Sequence, residues 1–188
     1  MEENTRTSNV IRNTYVGIIT QVFILIASFA NRTIFIKILG NDYLSINGLF
    51  SNILSMLSLV ELGFGTALIY MLYKPVAEND IKKTQKLIKY YQKVYSIIGT
   101  IMLILGILII PFMKYLIKDA PDIKENLILI YILYLISTCI GYFFAHKSAI
   151  INANQKNYIV ILYNQVGKLL QSIIQIVLLL LTKDYILY

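Results

Sequence analysis

Three ionisable residues stand inside otherwise apolar runs: Arg32 in FANRTIFIKIL, Glu61 in VELGFGTAL and Lys168 in NQVGKLLQS. A charged group in hydrocarbon costs at least about 2.5 kcal/mol on insertion scales, so each of these marks a pathway, a cavity or a charge partner. Arg32 suits either a substrate contact in a water-filled cavity or a structural ion pair, and Lys168 suits a cavity cation. Glu61 reads equally as the structural or gating partner of a cation and as a proton or sodium site, and Lys168 is its candidate ion-pair partner. This is binding and switching chemistry rather than bond-breaking chemistry. The chain has no HExxH, no P-loop, no nucleophile elbow, no carboxylates clustered in a loop and no second histidine beside His146, so no enzyme is expected and neither a metal nor a cofactor is implied. Cys139 is the single cysteine, which excludes an intrachain disulfide and a cysteine metal cluster; it reads as a small packing residue.

The elements that must hold these groups are membrane helices. Of the 188 residues, 57% are hydrophobic and 14% charged, with a mean hydropathy of +0.68, well beyond an ordinary soluble domain. A hydrocarbon core about 30 Å thick needs roughly 20 apolar residues per helix. Suitable runs lie near 14–39, 44–73, 94–117, 126–150 and 158–182, which predicts an all-α, polytopic transmembrane bundle of about five helices. The polar start MEENTRTSNVIRN precedes a run too long for a signal-peptide core, so the first span is expected to be retained.

The net charge of +7 does not point to nucleic acid, because the basic residues sit in the breaks between apolar runs, where they set orientation. Arg6 and Arg12 precede the first span, and Lys74, Lys82, Lys83, Lys86, Lys89 and Lys93 lie between the second and third. Lys147 and Lys156 lie between the fourth and fifth. In KYLIKDAPDIKE, between the third and fourth, Asp119, Asp122 and Glu125 balance the lysines. The counts agree on a cytoplasmic N-terminus. In the basic segment 75–93, Ile81, Thr84, Ile88, Tyr91 and Tyr95 fall at helical spacing, which predicts a short amphipathic helix at the inner interface. It reads as a topology anchor attracted to anionic lipid or as a guide for a phosphorylated substrate. Tyr43, Tyr73, Tyr90, Tyr115 and Tyr158 fit interfacial anchors.

Polar residues three, four and seven apart share a helix face. In the second span Asn47, Ser51, Ser55, Ser58, Glu61 and Gly65 form one stripe. In the fifth, Asn164, Gln165, Lys168, Gln171, Ser172 and Gln175 occupy roughly a third of the circumference. In the first, Asn13, Gly17, Gln21, Ser28, Asn31 and Arg32 gather on one side, interrupted by Ile24, while Lys37 points away and can snorkel to the outer headgroups. The third span is nearly all aliphatic and is expected to be the most lipid-exposed. Gly63 and Gly65 permit the second span to bend or unwind beside Glu61, or to pack closely against a neighbour.

The residues NRTIFIKILGNDYLSINGLFSNILSMLSLVELGFGTALIYMLYKPVAENDIKKTQKLIKYYQKVY resemble the N-terminal region of Wzx-like polysaccharide flippases, in the multidrug/oligosaccharidyl-lipid/polysaccharide exporter superfamily. ILGNDYLSINGLFSNILS, ELGFGTA and LYKPVAEND carry most of the likeness, which runs from about Asn13 to Pro111. The resemblance implies a bacterial inner-membrane protein whose two lobes surround a central cavity, moving an undecaprenyl-pyrophosphate-linked oligosaccharide between leaflets by alternating access. It implies a cationic cavity, with Arg32 and Lys168 as candidates to neutralise substrate charge. Gln21, Asn31, Asn164, Gln165, Gln171 and Gln175 would then bond sugar hydroxyls, with Glu61 as pair or gate. Five spans supply only part of such a protein, so a missing C-terminal half is an expected partner, along with membrane lipids and other polysaccharide-assembly proteins. The rival readings are a cation-coupled small-molecule exporter, with Glu61 binding the coupling ion, and a membrane glycosyltransferase or polymerase.

Overall fold

In the computed structural model the backbone is described for residues 2–116 and 123–188, and the side chains for all of these except 2–13, 16 and 114. Arg6, Arg12, Asn13, Asp119 and Asp122, used above for orientation and face assignment, therefore lie outside the described side chains. The described chain is all-α: α1 (Glu2–Leu39), α2 (Asn41–Leu57) ending in a 3-10 turn (Ser58–Glu61), α3 (Phe64–Ala77), α4 (Ile81–Ile109), the short α5 (Met113–Leu116), α6 (Leu127–Phe144), α7 (His146–Ala153) and α8 (Asn157–Thr182). Five stretches are long and apolar enough to cross a membrane: Gly17–Leu39, Asn41–Glu61, Ile81–Phe112, Leu127–Phe144 and Asn157–Thr182. The protein is a multi-pass membrane protein.

The chain divides into two compact units, one of residues 1–40 and 150–188, the other of residues 41–149. The first is built on α1 and α8. The second is built on α2, α3, α4 and α6. Its core begins with Ile46, Phe50 and Leu54, spaced by four along α2 and all buried. The Phe50 ring meets Tyr131 of α6 edge-on at 5.4 Å, and the Tyr131 hydroxyl donates to the Gly106 carbonyl of α4 at 3.0 Å. A buried tyrosine needs such an acceptor in lipid, where no water can supply one.

The aliphatic α4 is not the most lipid-exposed span. Of its apolar stretch 28% is buried, against 6% in each of the first and last spans. Ile98, Gly99, Met102 and Gly106 form its inward face, and the two glycines let α6 approach closely. A Cβ at Gly106 would clash with a methyl of Leu135, itself buried. Gly106→Ala is therefore expected to cost about 1–3 kcal/mol through overpacking, read as a lower unfolding temperature of the protein in detergent with its fold retained.

The basic segment also differs from expectation. It is not a separate interfacial helix, because its residues form the first turns of α4 and run without a break into the span. Asp80 caps that helix, its Oδ1 accepting from the Lys83 amide at 3.0 Å, after a turn through Asn79 at φ 54°. Of the five residues placed on one face, Thr84, Tyr91 and Tyr95 are buried and Ile81 is exposed. Cys139 is buried in α6.

Candidate functional site

The second predicted span, 44–73, is interrupted. After α2 the chain tightens into the 3-10 turn Ser58–Glu61, and Gly63 then takes φ 85°, a left-handed conformation that costs a residue with a Cβ about 1–2 kcal/mol. Leu62 N donates three residues back to Leu59 O at 3.1 Å, and Ala67 N to Gly63 O at 3.1 Å opens α3. The first three amides of α3, on Phe64, Gly65 and Thr66, precede any α-helical acceptor. Irregular backbone at membrane depth is tolerated where it is packed by protein or lines a cavity. The second condition holds here, since the break lines a recess of about 290 Å³ that includes Ser58, Glu61, Gly63, Gly65 and Thr66.

Glu61 is half-buried at this break. Its Oε1 accepts from the Tyr95 hydroxyl of α4 at 2.5 Å, within the short range of charge-assisted O–H···O bonds. Tyr95 stacks on Tyr91 at 4.6 Å between centroids and nearly parallel, and lies 6.3 Å from Tyr142 of α6. Gly65 leaves room for this arrangement, because a Cβ there would sit 2.5 Å from the Tyr95 oxygen. The break, the glycine and three aromatic rings thus gather around one carboxylate, which the Tyr142 side chain also hydrogen-bonds. Its partners within this unit are tyrosines.

Tyr95 also fixes the depth of Glu61. It follows Lys93 by two residues, at the point where the lysines of α4 give way to the aliphatic run towards Phe112. Glu61 therefore lies towards the lysine-bearing end of the span rather than near its middle. Tyr95 escaped the sequence reading as a partner because its spacing marked it only as part of an inward face. The missed signal was its hydroxyl, since a tyrosine on a buried face must find an acceptor.

In the other unit α1 and α8 are joined by a polar seam. Asn31 Nδ2 donates to Gln175 Oε1 at 3.1 Å, and Gln165 Nε2 to Gln21 Oε1 at 3.5 Å. The Tyr188 hydroxyl donates to Asn31 Oδ1 at 3.3 Å, while Gln175 Nε2 donates to the Tyr188 carbonyl at 3.3 Å. The two amide pairs share one sequence offset of 144, so the helices run parallel. Four amides expected to face a substrate thus make contacts with one another across the helix pair.

Arg32, Asn164, Lys168 and Gln171 are exposed on this unit, and among the described residues neither Arg32 nor Lys168 has an ion-pair partner. The register of the seam places Lys168 level with Ile24, the residue that interrupts the polar face of α1. Arg32 stands eight residues further along, about 12 Å at 1.5 Å per residue. The two cations are thus successive stations along one helix pair, too far apart to grip a single phosphate together. Lys37 is exposed beyond them. Comparison of the chain with protein-family models, curated proteins and solved structures returns no match.

Proposed function

We propose that the protein is part of a transporter that flips a lipid-linked oligosaccharide, carried on undecaprenyl pyrophosphate, across the bacterial inner membrane by alternating access. The observation that carries this reading is the interrupted span, in which a carboxylate latched to a neighbouring helix sits at a left-handed glycine beside a recess. Discontinuous membrane helices of this kind are where transporters place sites and hinges. Arg32 and Lys168 supply positive charge at two depths for a phosphate-bearing cargo. Asn164 and Gln171 offer amides to sugar hydroxyls, and Glu61 acts as a latch on the motion of α3 against α4. No covalent bond changes, so the protein needs no cofactor. The lysine counts place the N-terminus and the α3–α4 turn in the cytoplasm.

A second reading rests on the same carboxylate. Its negative charge would hold a coupling cation or proton, as a small-molecule exporter would need. Expression from the complete reading frame in bacteria lacking their own flippase tests the two. The flippase reading expects restored surface polysaccharide, whereas the exporter reading expects drug resistance without it.

A further inference from the structure

The α3–α4 hairpin carries a feature that cargo handling does not use. Lys82, Lys86, Lys89 and Lys93 follow one another at steps of four, three and four, within about 60° of the helix circumference at 100° per residue. All four are exposed. They lie opposite Thr84, Tyr91 and Tyr95, the face that α4 buries. The nearest acids are engaged at the hairpin tip, Glu78 with Lys74 at 3.8 Å and Asp80 as the cap of α4. The stripe itself carries no acid.

Length fixes where this stripe stands. From Val94 to Phe112, α4 and the 3-10 turn that follows it rise about 28 Å, close to the hydrocarbon thickness of about 30 Å. Lys93 is thus at the edge of the hydrocarbon, with Lys89 about 6 Å, Lys86 about 10 Å and Lys82 about 16 Å beyond it. The headgroup layer is about 5–8 Å deep on each side, and charge is screened over about 8 Å at physiological ionic strength. Lys93 and Lys89 lie within the headgroups, Lys86 at their rim, and Lys82 in water.

We propose that Lys89 and Lys93 form a binding surface for the headgroups of anionic phospholipids, holding a shell of such lipid against α4 at its lysine-bearing end. This is a graded surface rather than a uniform basic patch, and it is independent of what the protein carries. Each lysine near the surface strengthens anionic lipid binding about fivefold, and the pair about thirtyfold.

Native mass spectrometry of the whole protein, released from detergent with phosphatidylglycerol or phosphatidylcholine of matched acyl chains, tests it. The wild type is expected to retain phosphatidylglycerol in preference to phosphatidylcholine. K89Q/K93Q should lose about thirtyfold of that preference, K89R/K93R should keep it, and K82Q/K83Q should change it less than twofold. All substituted positions are exposed, and the unfolding temperature of each variant checks the fold. Equal retention of the two lipids by the wild type would overturn the proposal. So would a loss in K82Q/K83Q as large as in K89Q/K93Q. Displacement of the lipid by micromolar inorganic pyrophosphate would also overturn it, since that would mark a discrete phosphate site.

Discussion

Replacing Arg32 and Lys168 together by glutamine is expected to abolish export of the lipid-linked precursor while leaving the protein at normal levels in the membrane. Both side chains are exposed and unpaired among the described residues, so their loss breaks no contact on which the fold rests. A hydrogen bond to a charged group contributes about 1.5–3 kcal/mol, so each single change should weaken handling of a phosphate-bearing cargo by about ten- to a hundredfold. The two positions are about 12 Å apart along the helix axis, beyond the range over which neighbouring substitutions usually couple, so the losses should add. Lys168→Arg should retain most activity. Lys37→Gln serves as the internal control, since its ammonium belongs to the headgroup layer and its removal should leave export unchanged. Accumulation of precursor on the inner leaflet, measured beside surface polysaccharide, checks each case.

The second large effect is expected at the Glu61–Tyr95 contact. If the bond latches one conformation, then Tyr95→Phe and Glu61→Ala each remove the same interaction. Each should shift the conformational equilibrium by about 1.5–3 kcal/mol, a ten- to hundredfold change in population. The double variant should be little worse than Glu61→Ala alone, because Tyr95→Phe acts through a bond that Glu61→Ala already removes. Glu61→Gln is the informative substitution. Glutamine keeps a carbonyl acceptor for the phenol at neutral strength, so a latch should survive in part, with transport falling less than tenfold. A coupling-ion site needs the negative charge, and there Glu61→Gln would be as damaging as Glu61→Ala. Transport rates across the four proteins at matched levels separate the two roles.

Much of this architecture was legible in the chain because its cause is local. Apolar runs of spanning length follow from hydrocarbon thickness, and all five appear as helices with the expected composition. The glycines beside Glu61 allowed the second span to bend or unwind there, and Gly63 is the left-handed residue at the break. What periodicity could not supply was partnership. A helical wheel assigns a direction to Asn31 or Gln175 but does not reveal that each faces the other across a parallel seam. The same limit hid Tyr95 behind its apolar neighbours. It also made α4 look lipid-facing, since Gly99 and Gly106 signal close packing only once α6 lies against them.

The claim on which the account depends is that a lipid-linked sugar crosses the bilayer through this protein. Its most direct test is reconstitution of the protein, expressed from its complete reading frame, into sealed vesicles carrying a radiolabelled undecaprenyl-pyrophosphate oligosaccharide. A membrane-impermeant glycosidase added outside then reports how much substrate reaches the outer leaflet. Cleavage is expected to rise well above half of the label with the wild-type protein, and to stop at the outer-leaflet fraction with the Arg32/Lys168 double glutamine variant. Cleavage in wild-type vesicles that stays at the level of protein-free vesicles, with a compatible sugar unit present, would contradict it.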